Sequence, residues 1–177
     1  VENIDDSRLY GLELELRKSL GFSELLKDFS LGTNITLVKS VVREDSTKLA
    51  SANIALENSN PGGNDRWPEY RAMYGQSPYV VNAYLNYFNS DRGIDANIGF
   101  NVSGPKIVLI NKAAIPNVME KSFAKLDFNI SKSFKQGISL KLSAENLLNP
   151  YYTQSLSFKN GEEVFFRKHK LGRTYSL

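Results

Sequence analysis

The sequence predicts an all-β fold, an antiparallel, up-and-down transmembrane β-barrel segment of about seven strands. Three observations carry that prediction. Apolar and polar residues alternate with a period of two along most of the chain. Short and long connections between the alternating runs follow one another strictly. Aromatic residues gather at both ends of the runs.

In residues 12–17, Leu12, Leu14 and Leu16 share a face while Glu13, Glu15 and Arg17 point the other way. The second run sets Phe29, Leu31, Thr33, Ile35 and Leu37 against Ser30, Gly32, Asn34 and Thr36. The third opposes Val81, Ala83, Leu85 and Tyr87 to Asn82, Tyr84 and Asn86, and the fourth opposes Ala96, Ile98, Phe100 and Val102 to Asp95, Asn97, Gly99 and Asn101. The fifth alternates Leu126, Phe128 and Ile130 with Lys125, Asp127 and Asn129. The sixth alternates Ile138, Leu140, Leu142 and Ala144 with Ser139, Lys141, Ser143 and Glu145. A weaker seventh strand is expected over residues 165–177.

Residues 20–27, 89–93 and 135–137 read as polar or glycine-bearing hairpin connections. Between them stand much longer connections, at roughly residues 43–78, 105–121 and 150–164. Such lengths are uncommon inside compact soluble domains, whereas transmembrane barrels alternate short periplasmic turns with longer extracellular loops. Phe22, Phe29, Tyr87, Phe88 and Phe134 stand at the short-turn ends, and Tyr10, Tyr79, Phe123, Tyr151, Tyr152, Phe165 and Phe166 at the other ends. Two such belts match the interfacial girdles of a barrel, although aromatics are favoured in strands generally.

Composition removes several function classes. Lys plus Arg number 22 and Asp plus Glu 19, a net charge of +3 that does not suggest a nucleic-acid partner. The absence of Cys excludes disulfides, thiolate metal sites and a thiol nucleophile. His169 is the single histidine, so a multi-histidine metal site is excluded and no cofactor is expected. No Ser/His/Asp ordering or glycine-rich phosphate loop stands out, and an enzyme is not expected. No apolar run is long enough for a membrane-spanning helix. The chain opens at Val1 and reads as part of something longer.

Periodicity alone leaves open which face is the inside. A soluble β-sandwich would bury the apolar stripes as a core, and a membrane barrel would turn them to lipid. The nearly uncharged centre of every apolar stripe and the Asn, Ser and mixed charges opposite favour the second arrangement.

The stretch Leu126-Asp127-Phe128-Asn129-Ile130-Ser131-Lys132-Ser133-Phe134, then Leu140-Lys141-Leu142-Ser143-Ala144-Glu145-Asn146-Leu147-Leu148-Asn149-Pro150-Tyr151-Tyr152, resembles the end of TonB-dependent outer-membrane receptors. Gly172-Arg173-Thr174-Tyr175-Ser176-Leu177 is similar to the start of that family's last strand, and Tyr74-Gly75-Gln76-Ser77-Pro78-Tyr79-Val80-Val81-Asn82 to its Bacteroidetes-type members. The resemblance implies a barrel of about 22 strands around an N-terminal plug, in the outer membrane of a Gram-negative bacterium. Residues 1–177 would be the C-terminal portion of that barrel domain, without the plug. Implied partners are outer-membrane lipid, the plug and remaining strands, TonB through an N-terminal region, and a surface lipoprotein. The implied function is active transport of a large or scarce solute. An outer-membrane barrel serving as a secretion or assembly scaffold, and a soluble β-sandwich binding module, are the alternatives.

Within that frame Glu13, Glu15, Arg17, Asp95, Asn97, Lys125, Asp127, Lys141 and Glu145 are candidates to face the lumen and the plug, through charge-assisted hydrogen bonds. Taken singly, each also fits a solvated polar face with cross-strand pairs. In the first long connection Arg66, Trp67, Tyr70, Arg71 and Tyr74 are the residue types that anchor binding surfaces. They are the extracellular-loop candidates, set against an ordered loop stitched by aromatic packing.

Overall fold

A computed structural model describes residues 6–62, 66–111, 115–158 and 161–177; the rest of the long connections lies outside the described residues. In chain order the elements are β1 (Ser7–Ser19), β2 (Phe29–Arg43), α1 (Ser46–Ser59), β3 (Tyr70–Arg71), β4 (Tyr79–Asn89), β5 (Ile94–Ser103), β6 (Lys106–Leu109), β7 (Val118–Glu120), β8 (Phe123–Ser133), β9 (Ser139–Glu145), β10 (Tyr151–Ser157), β11 (Glu163–Lys170) and β12 (Thr174–Ser176).

The main sheet has the order β1-β2-β4-β5-β8-β9-β12, with β3 added beside the far end of β2. Every pair on that path is antiparallel. The six strong alternating runs are its first six strands, and each pairs with the run next to it in sequence. The sheet does not close on itself, so β1 and β12 each carry one unpaired edge. Of the five inner strands, β4, β5 and β8 have 11, 10 and 11 residues, which matches the roughly 9–11 residues of a tilted membrane-spanning strand, while β2 is longer at 15 and β9 shorter at 7.

The expected seventh strand over residues 165–177 divides in two. Its first part is β11, which leaves the main sheet and pairs with β10, and only β12 joins β9. Gly172 makes the break with φ +87°. Its position is held from the preceding turn, where the Asn146 amide donates to the Gly172 carbonyl at 2.6 Å and the Gly172 N–H donates to Asn149 Oδ1 at 3.2 Å. Asn146 and Asn149 themselves adopt φ of +55° and +45°, a left-handed conformation that asparagine tolerates better than most residues.

The long connections are built rather than loose. The first contains α1, where the Asp45 carboxylate accepts from the Thr47 and Lys48 N–H groups at 2.9 and 3.0 Å. That cap starts a helix which the strand periodicity did not indicate, and Pro61 follows its end. The other two connections supply a second sheet ordered β6-β7-β10-β11. Its members follow or precede β5, β8, β9 and β12 in the chain, in the same lateral order. The second sheet therefore prolongs the strand order of the first.

Burial shows where the chain packs against itself. In the strands of the main sheet only Gly32 and Val42 are buried. Ala52, Ile107 and Val118 complete the buried apolar set, all in the long connections. The apolar stripes stay outside it: Leu12, Leu14 and Leu16 are more than half exposed, and Leu31, Ile98, Leu140 and Leu142 are exposed as well. Among the described residues the main sheet is a single layer, and no second layer packs across either of its faces.

The short turns fix the register. Gly93 closes the β4–β5 turn with φ +60°, its N–H donates to the Ser90 carbonyl, and its own carbonyl accepts from the Ser133 N–H at 2.8 Å. A Cβ placed on Gly93 would lie 2.5 Å from the Ser133 carbonyl oxygen. Gly93→Ala should therefore lower unfolding stability by about 1–3 kcal/mol. Gly137→Ala, at φ +77° with no neighbour within 4 Å, should cost less. Denaturant midpoints of the two refolded variants test the order.

Candidate functional site

Register assigns every residue of the main sheet to one of two faces. One face carries continuous apolar rows, such as Leu31, Leu85, Ile98, Phe128 and Ala144. The strand charges on that face are Arg8, Lys18, Lys39, Arg43 and Lys132, all basic and all near strand ends.

The other face is the candidate site, and the nine residues expected to share it do so. Glu15, Asn34, Asn82, Asn101 and Lys125 form one cross-strand row. Arg17, Gly32, Tyr84, Gly99 and Asp127 form the next, and Ser30, Asn86, Asn97, Asn129 and Ser143 the one after. Asp95 and Lys141 flank Ser131, and Glu145 faces Thr174 at the edge.

Amides tie these rows together. Asn101 donates to Asn82 at 2.6 Å, Asn97 donates to Asn86 at 2.5 Å, and Asn34 donates to Glu13 Oε1 at 2.6 Å. Arg17 and Glu15 form an exposed ion pair at 2.5 Å. Asp127 accepts the Asn146 N–H at 2.7 Å, which joins the polar face to the Asn146 turn. Tyr84 has glycine opposite it on both neighbouring strands. Its phenol end lies over Gly32, where a Cβ would come within 2.1 Å of Cζ. Tyr84 is not among the candidate site residues of the sequence, although glycine inside a strand is itself a sign of close approach.

The five loop candidates separate. Arg66, Tyr70 and Tyr74 are exposed, and Trp67 is half-buried, with its backbone N–H donating to Asn53 Oδ1 at 2.6 Å. Arg66 stands 3.8 Å from Glu57 of the helix. Arg71 is turned inward, with Nε 2.7 Å from Glu44 Oε1 and both side chains at most 8% exposed. Lys48 lies 3.7 Å from the other Glu44 oxygen. Arg71 is thus part of the clamp that holds the connection to the end of β2 rather than a group presented to a ligand.

A polar network in the second sheet was not legible in sequence. The Tyr152 hydroxyl donates to Glu120 Oε2 at 2.7 Å and accepts from Gln154 at 2.7 Å, while Lys106 reaches Glu120 Oε1 at 3.1 Å. On the opposite face of the hairpin, Glu163 Oε1 accepts from Ser155 at 2.7 Å and meets Lys121 Nζ at 2.6 Å. Those hydrogen bonds, from Lys121 first and then Ser155, hold the Glu163 carboxyl below the usual range. Burial and then the hydrogen bond to the Glu120 carboxylate push the Tyr152 phenol up. Tyr152 and Glu120 lie 32 residues apart in sequence, so nothing local announces the bond between them.

Among the described residues no group of three or more His, Cys, Asp or Glu side chains is placed to hold a metal ion. No family model matches the chain, and no curated protein or solved structure matches it.

The raised Tyr152 pKa has a definite consequence for stability. The folded state favours the neutral phenol, so this stabilisation is fully present below the ordinary value of 10.0 and is lost as pH rises through the raised one. Phenolate absorbance should show one tyrosine ionising above pH 10.0 in the folded chain. Tyr152→Phe should remove that step, and a titration curve left unchanged would contradict the assignment.

Proposed function

We propose that this chain is the C-terminal part of the wall of an outer-membrane β-barrel of about 22 strands, in a transporter energised through TonB. The observation that carries the reading is the single-layer sheet, whose apolar face is covered by no second layer among the described residues. Covering a large apolar side chain is worth about 1.5–3 kcal/mol, so a face of such side chains has a strong demand for a partner. Lipid meets that demand along the whole face, and further strands meet the hydrogen-bonding demand of the open edges of β1 and β12.

The polar face supports the same reading from the other side. Its asparagines, interspersed with charges of both signs, suit a wetted lumen or the surface of a plug domain. Glu13, Glu15, Arg17, Asp95, Asn97, Lys125, Asp127, Lys141 and Glu145 are then groups that meet the plug or solute, with roles in position and charge rather than chemistry. The long connections, with Arg66, Tyr70 and Tyr74 exposed, would lie outside the cell, where a surface lipoprotein could cover them. The Asn146–Tyr152 turn supports the family resemblance, because its asparagines grip the Gly172-Arg173 segment that the resemblance pairs with it. A soluble β-sandwich is disfavoured, because the second sheet extends the lateral order of the first and leaves its face bare.

Two experiments test the reading. Charge on a lipid-facing midplane position costs roughly 2–4 kcal/mol. Leu126→Arg, on the apolar face of β8, should therefore impair barrel assembly much more than Lys125→Leu on the polar face. Equal assembly of the two variants in the intact protein would count against a lipid-facing wall. Transport is tested by solute uptake in cells with and without TonB. Uptake should require TonB, and uptake that persists undiminished without it would defeat the transporter reading and leave the scaffold standing.

A further inference from the structure

The hairpin β10–β11 carries a cationic and aromatic surface that neither sheet needs for its own pairing. Its register places Tyr151, Thr153 and Ser155 beside Lys170, Lys168 and Phe165 on one face. Lys168 Nζ stands 4.5 Å from the centre of the Phe165 ring and 5.3 Å from that of Tyr151, and Lys170 Nζ stands 5.0 Å from Tyr151. Two ammonium groups are thus brought over one ring. The nearby Glu163 carboxylate is bonded to Lys121 at 2.6 Å, and the Lys168 charge reaches it only from a distance. Among the described residues, neither Lys168 nor Lys170 has a carboxylate within 4.0 Å. All eight residues of β11 are exposed.

Ring stacking holds such cations in place but leaves their charge unneutralised, and two close ammonium groups repel each other until an anion joins them. The apolar groups alongside indicate what kind of anion fits. Phe165, Phe166, Leu171 and Tyr175 are all about half or more exposed, and the chain passes from Lys170 through Leu171, Gly172 and Arg173 into β12. Lys39 and Arg8 are basic groups at the same end of the apolar face, on the opposite lateral edge of the sheet.

We propose that Lys168 and Lys170, over Tyr151 and Phe165, bind the phosphate-bearing headgroup of an anionic lipid at the rim of the apolar face. The phosphate lies between the two ammonium groups, and the acyl chains run along the exposed apolar side chains below. The inference rests on the reading that the apolar face meets lipid. It adds a chemically selective contact to a face otherwise selected only by hydrophobicity.

The test uses the full chain refolded in micelles containing phosphatidylglycerol and phosphatidylcholine of equal acyl length, with retained lipid counted by native mass spectrometry. The expected result is a preference for phosphatidylglycerol on the order of tenfold, from two lysines at an anionic surface. The double variant Lys168→Gln, Lys170→Gln should abolish the preference with strand content unchanged by circular dichroism. Lys168→Arg with Lys170→Arg should keep it. Equal retention of the two lipids by the native chain would overturn the headgroup site while leaving the wall reading intact. Displacement of phosphatidylglycerol by equimolar inorganic phosphate would likewise overturn it, by showing a site for the free anion alone. A chain that takes up no lipid of either kind would defeat both proposals.

Discussion

The structure depends on one unbroken antiparallel register across seven strands. Because side chains in a strand alternate between faces, a slip of one residue at any ladder would turn leucines onto the asparagine face and carboxylates onto the leucine face. The short turns prevent that slip. Gly93 adopts a left-handed conformation with no room for a Cβ, and its carbonyl is tied to Ser133 on the strand beyond. With the register set, the apolar rows and the amide rows follow, and so does the absence of a core within the main sheet.

What packing the chain achieves on its own lies at the end with the long connections. Val42, Ala52, Ile107 and Val118 are buried there, together with the Glu44–Arg71 pair and the polar residues Thr153, Gln154 and Ser155. The buried ion pair sits between β2 and β3 with Lys48 of α1 beside it. Removing one partner would leave a buried charge uncompensated. The same end holds the Asn146 turn, whose two left-handed asparagines reach across to Gly172 and separate β11 from β12. One chain segment thereby serves both sheets in turn.

The two faces of the main sheet make opposite demands. Two pairs of asparagine amides bond one another across strands at 2.5–2.6 Å, so part of the hydrogen-bonding demand of the polar face is met within it, and charges of both signs share its rows. The apolar face has no such internal solution, since only contact with other apolar matter removes it from water. Its in-strand charges are all basic and sit near strand ends. That distribution links the proposed wall to the proposed headgroup contact on β11.

The alternating runs of the sequence account for the existence, order and face parity of the first six strands of the main sheet, although β1 and β2 extend beyond their runs and Ile138 of the sixth run precedes β9. Strict alternation over runs such as Ala96 to Val102 admits one local structure, and hairpin connections such as residues 89–93 bring adjacent runs together. It also placed Glu13, Asn97 and Asp127 on a common face, since parity along each strand is a local property. Only the tertiary structure decided the fate of residues 163–177, because the break at Gly172 depends on amides more than 20 residues away. The helix α1, the second sheet, the inward turn of Arg71 and the Tyr152–Glu120 bond belong to the same class. Each depends on which distant backbone lies alongside, and a period-two pattern carries no information about that.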